Sequence, residues 1–143
     1  MQIIRSIDEM QKISLGLKQE GKKIGFVPTM GFLHKGHLSL VDSLRNRVDV
    51  VILSIFVNPT QFGVGEDLDQ YPKNHERDIE LCKDRGTDFV FIPKSEEIYG
   101  DRFSTFTIEE ELTKCLCGST RPTHFQGVTT ICAKLFNICQ PNM

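Results

Sequence analysis

The sequence has no tryptophan and only two tyrosines, Tyr71 and Tyr99; its aromatic content rests on ten phenylalanines. No run approaches the roughly 18 apolar residues that a membrane-spanning helix needs, so a membrane is not expected as a partner. The opening MQIIRSIDEM carries charge where the apolar core of a secretory leader would run. An excess of either charge is missing too. Lys and Arg number 17 against 19 Asp and Glu, a net charge of −2, which gives no electrostatic reason to expect nucleic acid. No disulfide framework is visible, since five cysteines is an odd number, and Cys115 and Cys117 form C-x-C rather than the C-x-x-C of zinc and redox sites. Cys82, Cys132 and Cys139 fall on apolar positions of expected helices, where cysteine acts as a small hydrophobe. This usage fits a reducing, cytoplasmic compartment.

What remains is ordinary for a globular domain. The 143 residues, 39% hydrophobic and 25% charged, suffice for one domain with a real core. Ile7, Met10, Ile13 and Leu17 recur at helical spacing after Ser6. IGFVP, closed by Pro28, reads as a buried strand, and the glycine-bearing loop Thr29 to Gly36 follows. Leu38, Val41, Leu44 and Val48 mark the next helix. DVVILSIFV (49–57) is an apolar, β-branched strand suited to cover on both faces. After a polar loop from Gln61 to Lys73, a helix spans 74–85 and FVFIP (89–93) forms a third strand. Alternating strands and helices imply an α/β, Rossmann-like parallel sheet with flanking helices. FSTFTI (103–108) reads as an edge strand or hairpin arm, and Glu109 to Glu111 as a solvated run. Phe125, Val128, Ile131, Cys132, Leu135, Phe136 and Cys139 form the stripe of a last amphipathic helix.

In such a sheet ligands bind outside the carboxyl ends of the strands. PTMGFLHKGH, from Pro28 to His37, sits there. Gly31 and Gly36 allow close backbone approach, and the helix opening near Gly36 or His37 offers N–H groups and a positive dipole end to an anion. His34 and His37 can each donate to a phosphate oxygen. The turn is neither a Walker A loop nor G-x-G-x-x-G. Its spacing of two histidines with no third ligand is poor for zinc, so no metal ligands are assigned. The same residues would also suit a structural glycine turn with two surface histidines. Asn58, Pro59, Thr60 and Gln61 occupy a second strand end; they read as a plain Asn-Pro turn or as a place where the Gln61 amide meets a hydroxy acid. Arg121 and His124 open the last helix, as a cap or as a fork for an anion.

PTMGFLHKGHLSLV, SIFVNPTQFG, EDLDQYPKNHERDIEL and RPTHFQGVTTICAKLFNICQP follow one another from about Ile24 to Pro141. In this order they resemble the pantothenate synthetase (pantoate–β-alanine ligase) family, within the wider H-x-G-H nucleotidyltransferase group. The resemblance implies ATP-dependent condensation of pantoate with β-alanine through a pantoyl adenylate, with ATP and Mg²⁺, in a homodimer. Carried over by motif, Met30, Gly31, Phe32, Leu33, His34, Lys35, Gly36 and His37 line the ATP site, with His34 and His37 in the catalytic role of donors to phosphate. Asn58, Gln61, Tyr71, Arg121, His124 and Val128 border the substrates. Lys35 stands where the family often has Glu. Family members also continue with a further strand, a GEKD-type loop, a second glutamine for pantoate and a C-terminal domain. Residues 1–143 are therefore expected to be a truncated N-terminal nucleotide-binding domain with an incomplete ATP site. The competing expectations are another H-x-G-H nucleotidyltransferase, acting on a nucleotide or phosphopantetheine, and an inactive fragment that only binds ligand or dimerises.

Overall fold

The computed structural model describes residues 1–63, 66 and 68–143; residues 64, 65 and 67, inside the polar loop expected from Gln61 to Lys73, lie outside the described residues. The three apolar runs form β2 (Ile24–Thr29), β3 (Val50–Ile55) and β4 (Phe89–Phe91). The short apolar start at Ile3 and Ile4 adds β1 (Gln2–Ile4). All pairings are parallel and the order is β1-β4-β3-β2. Ile24 to Thr29 pair in register with Val50 to Ile55, and Ile52 to Ser54 with Phe89 to Phe91.

Parallel neighbours need crossovers. These are α1 (Ile7–Gln19), α2 (Lys35–Arg45) and α3 (His75–Asp84). Two short helices, α4 (Ser95–Ile98) and α5 (Cys117–Thr120), precede the long α6 (His124–Cys139). Alternation along the strands sends side chains to two cores. Ile24, Phe26, Ile52 and Phe91 meet Met10 of α1 and Ile131, Leu135 and Ile138 of α6. Val27, Val51, Leu53 and Val90 meet Val41 of α2 and Cys82 of α3. Helices on both faces explain why these strands are apolar on both sides.

Two expectations need correction. β2 continues through Pro28 to Thr29 instead of closing at Pro28. It lies at the edge of the sheet, where a residue without an N–H is tolerated. Along that edge the Phe26 N–H donates to the Met143 carbonyl at 2.9 Å and the Asn142 N–H to the Ile24 carbonyl at 2.8 Å. The second correction concerns Phe103 to Ile108, which form no strand. There the Thr107 N–H donates to Thr130 Oγ1 at 3.1 Å, and Thr129 Oγ1 donates to the Thr107 carbonyl at 2.6 Å. Hydroxyls of α6 thus satisfy the backbone groups that a neighbouring strand would otherwise take.

The sheet's carboxyl edge carries the turn after β2 and, beyond β3, a 3₁₀ turn at Pro59–Gln61. α6 packs directly on that 3₁₀ turn because Gly127 lacks a side chain: a Cβ there would stand 2.3 Å from the Thr60 carbonyl oxygen. Gly127→Ala is therefore expected to destabilise the chain by about 1–3 kcal/mol through overpacking. Urea unfolding checks this, and a midpoint equal to that of the wild type would rule out the close contact.

Candidate active site

The turn after β2 leads the chain through two successive residues in the left-handed region, Gly31 at φ 84° and Phe32 at φ 50°. Such a turn strands backbone N–H groups away from any strand. Thr29 takes one: its Oγ1 accepts from the Gly31 N–H at 3.1 Å while donating to the Ser54 carbonyl at 2.7 Å. Asp78 of α3 takes the next two. Its fully buried carboxylate accepts from the Phe32 N–H at 2.7 Å and the Leu33 N–H at 2.8 Å. Arg77 closes the same turn from outside. It donates to the Leu33 carbonyl at 3.0 Å, and its guanidinium lies 5.6 Å from the centre of the Phe32 ring.

His34 is the N-cap of α2. Its Nδ1 accepts from the Gly36 N–H at 3.1 Å, and His37 Nδ1 faces the His34 N–H at 3.4 Å. The two rings stack with centroids 4.0 Å apart. With each Nδ1 serving as acceptor, the ring hydrogen of each neutral imidazole sits on Nε2. The glycine between them makes the cap possible, because a Cβ at Gly36 would lie 2.9 Å from His34 Cε1. Gly36 was expected to admit a ligand to the backbone; here it admits the His34 ring. Burial of the His37 ring, and after it the neighbouring His34, lowers the His37 pKa below the ordinary 6.5, with Asp78 pulling the other way.

At the second strand end Asn58 is fully buried. Its Nδ2 donates to Gln61 Oε1 and to the Gly127 carbonyl, both at 3.0 Å. Its Oδ1 accepts from the Tyr99 hydroxyl at 2.7 Å and from the Thr60 N–H at 3.3 Å. These partners leave Asn58 one orientation, and that orientation turns Gln61 so that its Nε2 hydrogens are the free end of the amide. Asn58, expected to border the substrates, therefore spends its polar atoms inside the protein and positions Gln61.

Met30, His37, Gln61, Tyr71 and Val128 line one cleft of about 270 Å³, with Ile131, Cys132 and Leu135 of α6 along its floor. The His34 ring stacks on that of His37 and is not among the residues that line the cleft. Leu33 departs from its expected place on the ATP site: its side chain is buried in the core that α2 and α3 share. Phe32 is 48% exposed, and Lys35 is exposed at the first position of α2. Arg121 and His124 border a separate cleft of about 210 Å³, which shares only Gln61 with the first. The Arg121 fork, expected to take a ligand anion, is occupied by Glu66, at 2.6 Å on each oxygen. That fork, and after it the Gly63 N–H, holds the Glu66 carboxyl down at about 2. Arg121 and the His124 Nδ1 both also donate to the Gln61 carbonyl, at 2.8 and 2.9 Å. They secure the backbone of the residue whose amide faces the cleft.

The model of the pantoate–β-alanine ligase family matches residues 2–143. The chain belongs to that family. A pantothenate synthetase of Thermosipho africanus is 53% identical over 99% of the chain and 51% of its own length. The solved pantothenate synthetase of Thermus thermophilus superposes with a TM-score of 0.89 at 44% identity, covering 99% of this chain and 50% of that one. The ligase of Francisella tularensis, solved in complex with β-γ ATP and β-alanine, superposes with a TM-score of 0.92 at 40% identity, covering 99% and 54%. The chain thus spans about half the length of the relatives it matches.

The family motifs did not single out three residues that build this site. Gly127 lies inside a family motif that assigns it no role, and Tyr99 lies outside the motifs, between the third strand and FSTFTI. Asp78 left the clearest signal: it precedes Cys82 by four residues, on the apolar face of α3, where a carboxylate must find donors.

The depressed pKa of His37 has a measurable consequence. Following its ring resonances by NMR should give a midpoint below 6.5. The unfolded chain then binds the extra proton first as pH falls, so the contribution of this group to stability is full above the unfolded value and lost as pH drops through 6.5 toward the folded pKa. A midpoint above 6.5 would overturn the assignment of a desolvated, neutral ring.

Proposed function

We propose that residues 1–143 carry the nucleotide- and pantoate-binding portion of an enzyme that condenses pantoate with β-alanine, using ATP. The observation that carries this reading is the shared cleft: the His37 imidazole and the Gln61 amide, each oriented by partners inside the protein, line the same 270 Å³ space. Both free ends are donors, which suits a phosphate on one side and a carboxylate or hydroxyl on the other. The complex named for the Francisella relative, with an ATP form and β-alanine, agrees with such a pair of ligands.

In this reading a pantoate carboxylate oxygen attacks the α-phosphorus of ATP, and the bond to pyrophosphate breaks. The β-alanine amine then attacks the acyl carbon, its bond to AMP breaks, and the amine proton leaves to solvent. Neither step needs a protein nucleophile, so the protein's task is positioning and charge stabilisation. His34 and His37 donate Nε2–H to phosphate oxygens, aided by the positive end of α2. Gln61 holds pantoate by its Nε2 hydrogens, against the apolar wall of Val128, Ile131 and Leu135.

Mg²⁺ commonly accompanies ATP, with ligands drawn largely from the phosphates. In this reading the ion would be held chiefly through the phosphates. Among the described residues no three His, Cys, Asp or Glu gather into a metal-holding group, and the Asp78 oxygens are committed to Phe32 and Leu33. We take the cytoplasm as the compartment, in keeping with five cysteines that are all unpaired. A homodimer is part of the same reading, and the exposed side chains of Ile108, Leu112 and Leu116 offer apolar surface for it. Sedimentation velocity would weigh against that association if it found monomer alone.

The activity is tested with the product of the complete reading frame that encodes this chain. Pantoate should drive exchange of pyrophosphate into ATP. His37→Ala should slow that exchange by about 10²–10³, as for loss of one transition-state donor, and Gln61→Ala should chiefly raise the KM for pantoate. Exchange driven by a different acid, and none with pantoate, would remove the substrate assignment.

A further inference from the structure

Outside the residues that face the cleft, one group combines full burial, charge and direct contact with the phosphate-side turn. Asp78 is 0% exposed. Its two oxygens take the N–H groups of Phe32 and Leu33 at 2.7 and 2.8 Å. Those residues are the last two before the His34 cap. The turn needs support, because Phe32 holds φ 50°, a region that side-chain-bearing residues seldom adopt. The turn is also tight against the carboxylate: a Cβ at Gly31 would lie 3.2 Å from Asp78 Oδ2. Arg77, next along α3, completes the clamp on the Leu33 carbonyl.

We propose that Asp78 is a positioning residue for the nucleotide: by binding the two N–H groups of the turn it sets where α2 begins and so where the His34 and His37 rings stand. It touches no substrate. Its reach is through the backbone, from Leu33 to the cap at His34: the His34 N–H faces His37 Nδ1, the Gly36 N–H donates to His34 Nδ1, and the two rings stack. The two backbone donors explain why a carboxylate, and not an amide, belongs here. Two N–H donors converge on one group, and an amide can offer an oxygen to one of them while turning an NH₂ against the other. The remaining half of the cleft is built separately, from Asn58, Gln61 and α6, and does not touch Asp78. The inference rests on the adenylate-forming reading above, and it separates the two substrates: a displaced turn damages the nucleotide side and spares the pantoate side.

The test is Asp78→Asn in the product of the complete reading frame, with folding checked by circular dichroism. Pantoate-dependent exchange should fall on the order of 100-fold, the scale of a misplacement of about 1 Å. The KM for ATP should rise while the KM for pantoate stays unchanged. Equal rises in both, or exchange equal to wild type, would overturn the proposal. A second readout needs no activity. In ¹⁵N-imidazole spectra the wild-type His34 and His37 should each show one tautomer, hydrogen on Nε2, and in Asp78→Asn both should average between tautomers. If wild type shows no exchange at all, the proposed function fails while the tautomer comparison still decides the role of Asp78. If Asp78→Asn does not fold, wild-type hydrogen exchange decides it: Phe32 and Leu33 amides should be strongly protected, and exchange at the rate of a free loop would refute the clamp.

Discussion

A carboxylate taken wholly out of water costs several kcal/mol unless hydrogen bonds replace its hydration. Asp78 is in that position, and the N–H groups of Phe32 and Leu33 replace the water, with the Arg77 guanidinium 3.6 Å away as countercharge. The dependence runs both ways. The turn after β2 passes through two left-handed residues, so its N–H groups point away from the sheet and would be orphaned without an acceptor. Charge and turn stabilise each other, and through them α3 is tied to the end of β2 and to the start of α2. The H-x-G-H cap is built on that junction. Gly36 makes room for the His34 ring, the His34 ring accepts from the first turn of α2, and His37 accepts from His34.

A second assembly faces the first across the cleft and follows the same logic with neutral groups. Asn58 is buried among Tyr99, Thr60, Gln61 and the Gly127 carbonyl. Its bonds leave the Gln61 amide with one free end, while Arg121 and His124 hold the Gln61 backbone. In both halves a cleft-lining side chain, His37 or Gln61, is oriented by hydrogen bonds made inside the protein. Preorganised donors of this kind act on developing negative charge without having to reorganise as it forms. The proposed adenylyl transfer to a carboxylate makes that demand, since every reacting oxygen is an acceptor and no protein nucleophile is required.

The strands of the sheet's centre were legible because each is a continuous apolar run bounded by turn residues, as in Val50–Ile55. Phe103–Ile108 misled because alternation alone does not reveal whether a partner strand exists, and here the hydroxyls of Thr129 and Thr130 serve instead. The glycine turn, its two histidines and Gln61 were legible as chemistry at strand ends. Their supports were not. Asp78 stands one turn before Cys82 on the apolar face of its helix, which hints at burial but not at its partners; only the fold brings it 46 positions back to Phe32. Asn58 reads from the sequence as a turn residue or as part of a ligand site, and its bonds to Gly127 and Tyr99, 69 and 41 positions away, appear only in the fold. Arg121 reads as a free fork until Glu66 is brought to it from 55 residues away. In each case the deciding contact is long-range, which local spacing cannot encode.

The central claim is that the two halves of the cleft are set in advance to receive an anionic nucleotide at the histidines and a hydroxy acid at Gln61. A crystal structure of the product of the complete reading frame, with pantoate and an ATP analogue whose α–β bridge cannot be cleaved, tests it most directly. The account predicts phosphate oxygens at hydrogen-bond distance from His34 and His37 Nε2 and the pantoate carboxylate or hydroxyl on Gln61 Nε2, with the turn at Gly31 and Phe32 unmoved. Nucleotide bound away from the H-x-G-H turn, or histidine rings that must swing free of their Nδ1 contacts to reach it, would contradict the account.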